Sequence, residues 1–523
     1  MTNLNSIKEN LKGYTARDFF SYARAKYLGQ EIKPNDTLES ILRKTSEETG
    51  ISPEKLWASQ EFQLLFRATT PEDLAILGIN GNYKEEAQEA IRAGRMMSLL
   101  PYNTLMSDET IKKFIPSRPE KFSGAWEHSM DPYGIFRKMD KVVAIDKEGN
   151  ETYLATRKFP YAVLANITEA CHIGCDGCYK GSMVRTALSA LAHINPEYAK
   201  IKKQLSLQEK RAEEQARLLV KWLNNNPEVD TIVMSGGEPT LFSNEGLEEI
   251  LNQYKRAEHI KVVRMCTSAP FQGMWYRIDD GFVNALADFE KETGKQFYIN
   301  AHVTDENQLS APEARIAVDK LQRKGISVHL QMPIQEGINF RRDNLSWSSK
   351  KIGNVSKQAY KLGVIPYKAI IDMHSPSHPD LTVPLETFTK VIGVLDQHET
   401  HSDHERWQAY NILHEQGNLY LTAYPHFTAT KEVDEEKQRV TYFIPKLDFN
   451  ERKRIVVHTY EEPLILGHND NLNSFGEIQD RDIRDRIAQV RESYRRVNND
   501  PEELRGFYEI SGIWYPTNKP LIM

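Results

Sequence analysis

Three of the four cysteines in this 523-residue chain fall within eight residues, in the run Ala170-Cys171-His172-Ile173-Gly174-Cys175-Asp176-Gly177-Cys178-Tyr179, while Cys266 stands apart. Thiols clustered in this way ask for a metal and not for a structural disulfide framework. With the spacing C-x3-C-x2-C just past a strand, Cys171, Cys175 and Cys178 can hold three irons of a [4Fe–4S] cluster and leave the fourth iron open to a substrate or cofactor. A structural zinc site is the alternative, and it requires a fourth protein ligand, for which His172 and Cys266 are the candidates. One spare cysteine is too few for a second Cys-ligated cluster.

A second run, Thr231-Ile232-Val233-Met234-Ser235-Gly236-Gly237-Glu238-Pro239-Thr240, is a buried strand entering a Gly-Gly turn that carries one carboxylate. Glycines let backbone polar groups approach a ligand closely, and Glu238 can accept hydrogen bonds from an ammonium group. A zinc knuckle explains neither this second motif nor its position at the same strand ends as the cysteines.

Both motifs have to be positioned by a scaffold. From Tyr161 onward, short β-rich runs alternate with amphipathic stretches. Strands are expected at Tyr161 to Ile167, Thr231 to Met234, Ile260 to Met265, Gln296 to Ile299, Ile326 to Leu330, Ile365 to Ile371 and Leu419 to Thr422. Helices are expected at Leu247 to Arg256, Asp280 to Glu292, Pro312 to Arg323, Ser356 to Leu362 and Leu385 to Asp396. Strands returning every 30 to 40 residues with a helix between them are βαβ units, and units of this kind build a parallel sheet through right-handed crossovers. The fold class is therefore α/β, a partial or full parallel (β/α) barrel whose chemistry sits at the carboxyl ends of the strands. It spans 156–430, with a long insertion at about 181–228 in which Ser206 and Glu209 form a capping box for a helix that Asn224 to Pro227 would stop. A charged helical extension (1–155) precedes it, and an α+β C-terminal extension (431–523), with a helical pattern at Arg481 to Arg496, follows.

Composition sets the wider frame. The chain is 40% hydrophobic and 27% charged, and 67 Lys+Arg against 73 Asp+Glu give a net charge of −6. These values fit a globular protein without a global basic field for nucleic acid. No apolar run approaches the roughly 18 residues of a membrane span, and charges fill the first residues where a signal peptide needs an apolar core. A cytoplasmic protein with a small-molecule ligand, with neither membrane nor nucleic-acid partners, is expected. The cluster of His398, His401, His404 and His414 reads as a solvated helix face.

Taken together, the cysteine run and Gly236-Gly237-Glu238 resemble the radical S-adenosylmethionine superfamily. The family usually has an aromatic residue or His immediately before the third cysteine, where this chain has Gly177 with Tyr179 after it. Within that superfamily the chain is similar to the lysine 2,3-aminomutases. The similarity is carried by Arg157-Lys158-Phe159-Pro160, Val263 to Pro270 with Arg277-Ile278, Asn300 to Glu306, Gln331 to Asn339, His378 and Val383-Pro384-Leu385-Glu386. The resemblance implies reductive cleavage of S-adenosyl-L-methionine at a [4Fe–4S] cluster, an amino acid or similar small polar substrate, and a flavodoxin- or ferredoxin-like reductase as electron donor. It also implies cofactor contacts by Gly236, Gly237, Glu238, Thr267, Ser268, Asn300, His302 and Gln331.

Aminomutases of that family also use pyridoxal phosphate, held by a Lys after a Gly-rich stretch. The matching residue here is Lys431, but the Gly run is absent, and the Arg-rich stretch after the cysteines is thinned to Lys180 and Arg185. A phosphate needs convergent N–H groups or cationic forks, so pyridoxal phosphate is not expected to be firmly held and Lys431 reads more simply as a surface residue. Asp372 and His374 are candidates for holding the substrate. A zinc-stabilised binding protein without redox chemistry is the rival reading.

Overall fold

The structure is a computed structural model. It describes residues 38–58, 99–111, 140–145, 151–171, 198–371, 381–396, 407–414, 417–421, 429–447, 455–469, 507–510 and 513–516, with isolated positions between 62 and 115, Ile173, Cys175, Cys178, and positions 488 and 492. Asp372, His374, His378 and the His398 to His404 cluster lie outside the described residues, as does nearly all of the helical pattern at 481–496.

A ten-stranded sheet organises the chain, and its strands lie side by side in sequence order. An antiparallel hairpin, β1 (Asp140–Ile145) and β2 (Glu151–Phe159), leads into β3 (Ala162–Thr168). Parallel pairing then runs through β4 (Thr231–Gly236), β5 (Val262–Thr267), β6 (Gln296–His302), β7 (Ser327–Ile334), β8 (Ile365–Ile371) and β9 (Ala409–His414). β10 (Gly417–Leu421) returns antiparallel to β9. The fold is thus α/β with a mostly parallel central sheet, and among the described residues β1 and β10 are its two edges, with no pairing that closes it.

Crossover helices cover one face. They are α1 (Tyr198–Asn224), α2 (Asn244–Lys255), α3 (Asp280–Thr293), α4 (Pro312–Arg323), α5 (Leu345–Lys361) and α6 (Leu385–Asp396). Their boundaries follow local chemistry. Ser243 and Asp279 accept from backbone N–H groups of the first turns of α2 and α3, and Gly294 ends α3 in the left-handed region at φ 69°. The strands show which face is which. In β5, Val263 and Met265 are buried while Arg264 and Cys266 are only half-buried, and in β7 Val328, Leu330, Met332 and Ile334 are buried between half-buried His329 and Gln331. A period of two sends the apolar set to the helices and the polar set to the opposite, interior face.

Two sequence expectations are overturned. The region before 155 holds β1 and β2. β1 is the edge of the sheet and β2 lies next to it, and their Lys, Asp, Glu and Arg residues hide the strand pattern because this margin tolerates charge. The helix in the insertion begins at Tyr198, eight residues before Ser206, since good helix formers such as Ala199, Lys202 and Lys203 continue it upstream. The side chain of Glu209 is engaged elsewhere, accepting from Ser243 N at 2.7 Å. The α+β C-terminal extension contains a three-stranded antiparallel sheet, β11 (Thr430–Asp434), β12 (Arg439–Leu447) and β13 (Ile455–Pro463), whose strands the sequence patterns did not delimit. Among the described residues no helix is long and apolar enough to cross a membrane.

Candidate active site at the carboxyl edge of the sheet

The cysteine segment leaves β3 as the Gly-Gly-Glu turn leaves β4, and the two are joined by their backbones. Gly237 N donates to Thr168 O at 2.7 Å, and Glu238 N donates to Ala170 O at 2.6 Å. A Cβ on Gly236 would collide with the Thr168 carbonyl, and one on Gly237 with the Ala170 carbonyl. Gly236 also sits at φ 138°, a conformation that side chains disfavour. The glycines are therefore required for close approach, but what they approach is the chain immediately before Cys171.

Cys171, Cys175 and Cys178 are thiols rather than disulfides, and all three are half-buried. Cys178 N donates to Cys175 O at 3.3 Å, and Ile173 N points at Cys171 Sγ at 3.5 Å. Burial pushes the Cys171 thiol well up, and the neighbouring Glu238, Cys175 and Cys178 add to that effect. Negative charge is thus disfavoured at the trio unless a cation joins it. Among the described residues, no group of three or more His, Cys, Asp or Glu is gathered as a metal-holding set.

Glu238 is the hub of this edge. It is buried, and its Oε1 accepts from Thr240 Oγ1 at 2.7 Å, from Thr240 N at 3.2 Å and from Thr267 Oγ1, while Oε2 accepts from Ser268 N at 2.8 Å. Burial raises its pKa against the opposing pull of these donors. Thr267 in turn accepts from Ala269 N. Arg277 donates to the carbonyls of Thr240 (2.6 Å) and Phe242, binding the segment after β5 to the segment after β4.

The remaining predicted residues share the interior face. Asn300 is cross-strand from Cys266, and His302 from Gln331, in parallel register. Asn300 is buried with its Oδ1 lacking a partner, so it presents an unmet acceptor. Cys266 is half-buried on this interior face and is not packed away among apolar side chains. Two motif residues prove to be architectural. Asp305 caps the short helix Glu306–Ser310 and pairs with Lys351 at 2.9 Å. Asn339 is buried in its own turn, accepting from Gln335 N and donating to Pro333 O.

Lys431 lies elsewhere, on β11. It is buried, with Nζ 2.8 Å from Glu386 Oε2 and 2.8 Å from the Asn469 carbonyl, so it is not a surface residue. An imine nitrogen keeps at most one N–H, whereas Nζ here serves both buried Glu386 and the Asn469 carbonyl. The residues at this position do not fit a pyridoxal phosphate Schiff base.

Two interior residues went unread in the sequence, Arg264 within Val262–Thr267 and Lys368 within Ile365–Ile371. A cation inside an otherwise apolar strand was the signal available for each.

No protein-family model matches the chain. Individual relatives do. It is 25% identical over 304 residues to the L-lysine 2,3-aminomutase of Methanococcus maripaludis, a match covering 58% of this chain and 63% of that protein. It is 24% identical over 314 residues to the glutamate 2,3-aminomutase of Clostridioides difficile, covering 59% and 63%. The chain resembles the lysine 2,3-aminomutases. It is also 23% identical over 184 residues to the L-lysine 2,3-aminomutase of Acetoanaerobium sticklandii, covering 35% of this chain and 38% of that one. The chain spans under two thirds of the length of these aminomutase relatives.

Proposed function

We propose that the chain is a radical S-adenosylmethionine enzyme of isomerase type, acting on an amino acid or similar small polar substrate. The observation that carries this reading is the junction of the three-cysteine segment with the Gly-Gly-Glu turn at the carboxyl edge of a parallel sheet. Three thiolates without a closed set of four suit a cluster with an open iron better than a structural zinc. When bound, such a cluster supplies the electron that cleaves S-adenosylmethionine to a 5′-deoxyadenosyl radical.

The chain's own residues would work by positioning. Cys171, Cys175 and Cys178 would ligate the cluster. Asn300, His302 and Gln331, with Ser268, would contact the cofactor from the interior face, while Glu238 and Thr267 would order the edge on which it rests. Gly236 and Gly237 hold the cysteine segment against β4. The sheet and its covering helices keep solvent from one side of the reacting group, which matters because a radical abstracts hydrogen from whatever is nearest. A relative named for lysine and one named for glutamate are matched at 25% and 24% identity, so the resemblance does not single out the substrate side chain. Lys431 takes no part in this chemistry, and an external reductase of flavodoxin or ferredoxin type is the proposed electron source.

Anaerobic reconstitution tests the reading. About four iron and four sulfide per chain are expected, with 5′-deoxyadenosine released on reduction in the presence of S-adenosylmethionine. Replacing all three cysteines by Ala should abolish both. A colourless protein with one tightly held zinc would favour the binding-protein alternative.

A further inference from the structure

One layer toward the amino ends of the strands, the interior face changes character. Arg264, Tyr298 and His329 lie two residues before Cys266, Asn300 and Gln331 on β5, β6 and β7, roughly 7 Å further along each strand at about 3.3 Å per residue. Lys368 joins them from β8. The contacts are continuous. The Arg264 guanidinium stands 5.7 Å from the Tyr298 ring centroid, and Tyr298 stacks on His329 at 4.4 Å. His329 meets Tyr367 edge-on at 5.7 Å, and the Lys368 ammonium lies 4.7 Å from the Tyr367 ring and 5.5 Å from the Tyr420 ring.

Lys368 is only 7% exposed, whereas Tyr420 is 59% exposed, so the layer has a buried cationic floor and an open aromatic rim. Two cations share this floor, and among the described residues neither has a carboxylate partner. Asp230, whose charge reaches the neighbouring Tyr161, is paired with Lys261. Burial pushes the Lys368 pKa down, and Arg264 pushes it the same way against the pull of Tyr420. Burial and Arg264 also lower that of His329, which keeps this ring neutral near pH 7. Arg264 Nε and His329 Nδ1 are buried without hydrogen-bond partners. So are both side-chain amide atoms of Asn411, which is fully buried and cross-strand from Tyr420. Like charges held together with unmet donors around them describe half of an ionic contact.

The geometry assigns to this layer an oxyanion site, in which Arg264 and Lys368 grip the carboxylate or phosphate of a small ligand whose flat or apolar body rests against the tyrosine rings. Arg supplies a planar fork for two oxygens and Lys a point charge. The rings cover the ligand without competing for its charge. Asn411 adds an amide donor from β9. The layer borders the proposed cofactor contacts, with Lys368 cross-strand from Gln331 and His329 from Asn300, but its test uses metal-free protein without S-adenosylmethionine, so it stands or falls separately from the radical reading.

Calorimetric titration of the metal-free full chain with inorganic phosphate and, separately, with benzoate tests the site and distinguishes the two headgroups. Saturable one-to-one binding of at least one probe is expected, weakened tenfold or more in Arg264→Gln and in Lys368→Gln and unchanged in Lys261→Gln. The tighter probe should also raise the melting temperature of the native chain and shield Lys368 from acetylation by acetic anhydride, mapped by mass spectrometry, a readout that needs no variant. Absence of saturable binding by both probes, equal affinity in the variants, or acetylation of Lys368 unaffected by either anion would overturn the assignment.

Discussion

Removing the Glu238 carboxylate would leave Thr240 N, Ser268 N and two threonine hydroxyls without their acceptor. Each unsatisfied buried donor costs about 1–3 kcal/mol. Glu238→Ala should therefore lower stability in urea by several kcal/mol and reduce iron retention along with cofactor affinity, whereas Glu238→Gln should keep the fold and most of the iron. If Glu238→Ala kept wild-type stability, its role as a hub would be refuted. Gly237→Ala is predicted to be worse for metal than for fold, because the new methyl group meets the Ala170 carbonyl next to Cys171. Iron content after reconstitution should fall several-fold while the far-ultraviolet circular dichroism stays native. Lys431→Met leaves Glu386 buried without its main partner, and loss of one member of a buried pair typically costs about 3–5 kcal/mol. A drop of that order in denaturant, with cofactor cleavage retained once the protein is folded, is the expected result.

At the scale of elements, α6 and β13 are joined by one titratable group. Glu462 accepts from Leu385 N at the start of α6, from Tyr442 Oη at 2.8 Å and from Asn469 Nδ2 at 2.8 Å. Burial nevertheless pushes its pKa up from 4.5 to about 7, with the donors opposing. Since the folded value lies above the unfolded one, its contribution to stability is full below about pH 4.5 and is lost as pH rises through about 7. Thermal melts of the native chain and Glu462→Gln should thus converge in mildly acidic buffer and separate as pH rises past neutrality, with the variant the more stable at pH 8. Superimposable profiles at every pH would exclude the effect. The elements themselves were unequally legible. Pro312–Arg323, Ile365–Ile371 and Leu385–Asp396 coincide with their sequence patterns, because a proline or an apolar run marks each boundary. Of the candidate site, the cysteines and Glu238 were visible by type and spacing. What was not visible is pairing: nothing local to Lys431 announces Glu386, and nothing in Glu238 announces Thr267, because such contacts come from the order of the strands.

Across the whole molecule, the segment at 99–111 is held over the strand ends by a few buried polar contacts. Tyr102 Oη donates to Gln308 O at 2.7 Å, and Asp305 accepts from Ser107 N, Thr110 Oγ1 and Lys351 Nζ. Burial opposes ionisation of Asp305, but the Asn307 N–H, the Lys351 ammonium and Ser107 N outweigh it and hold its pKa below the usual range. Their stabilisation is therefore present at neutral pH and fades as the solution becomes strongly acidic. Lys351→Met should cost about 3 kcal/mol or more and speed proteolysis within 99–111; an unaltered digestion pattern would argue against this anchoring. The sequential strand order has a different kind of consequence, for synthesis. Each parallel strand pairs with the one made just before it, so a chain emerging from the ribosome can extend the sheet one unit at a time without waiting for distant partners. The step from β3 to β4 is the exception, since 62 residues separate Thr168 from Thr231. The cysteine segment lies inside that gap, so until β4 arrives the thiols have no Gly-Gly-Glu turn beside them, and metal loading is expected to follow translation of this interval.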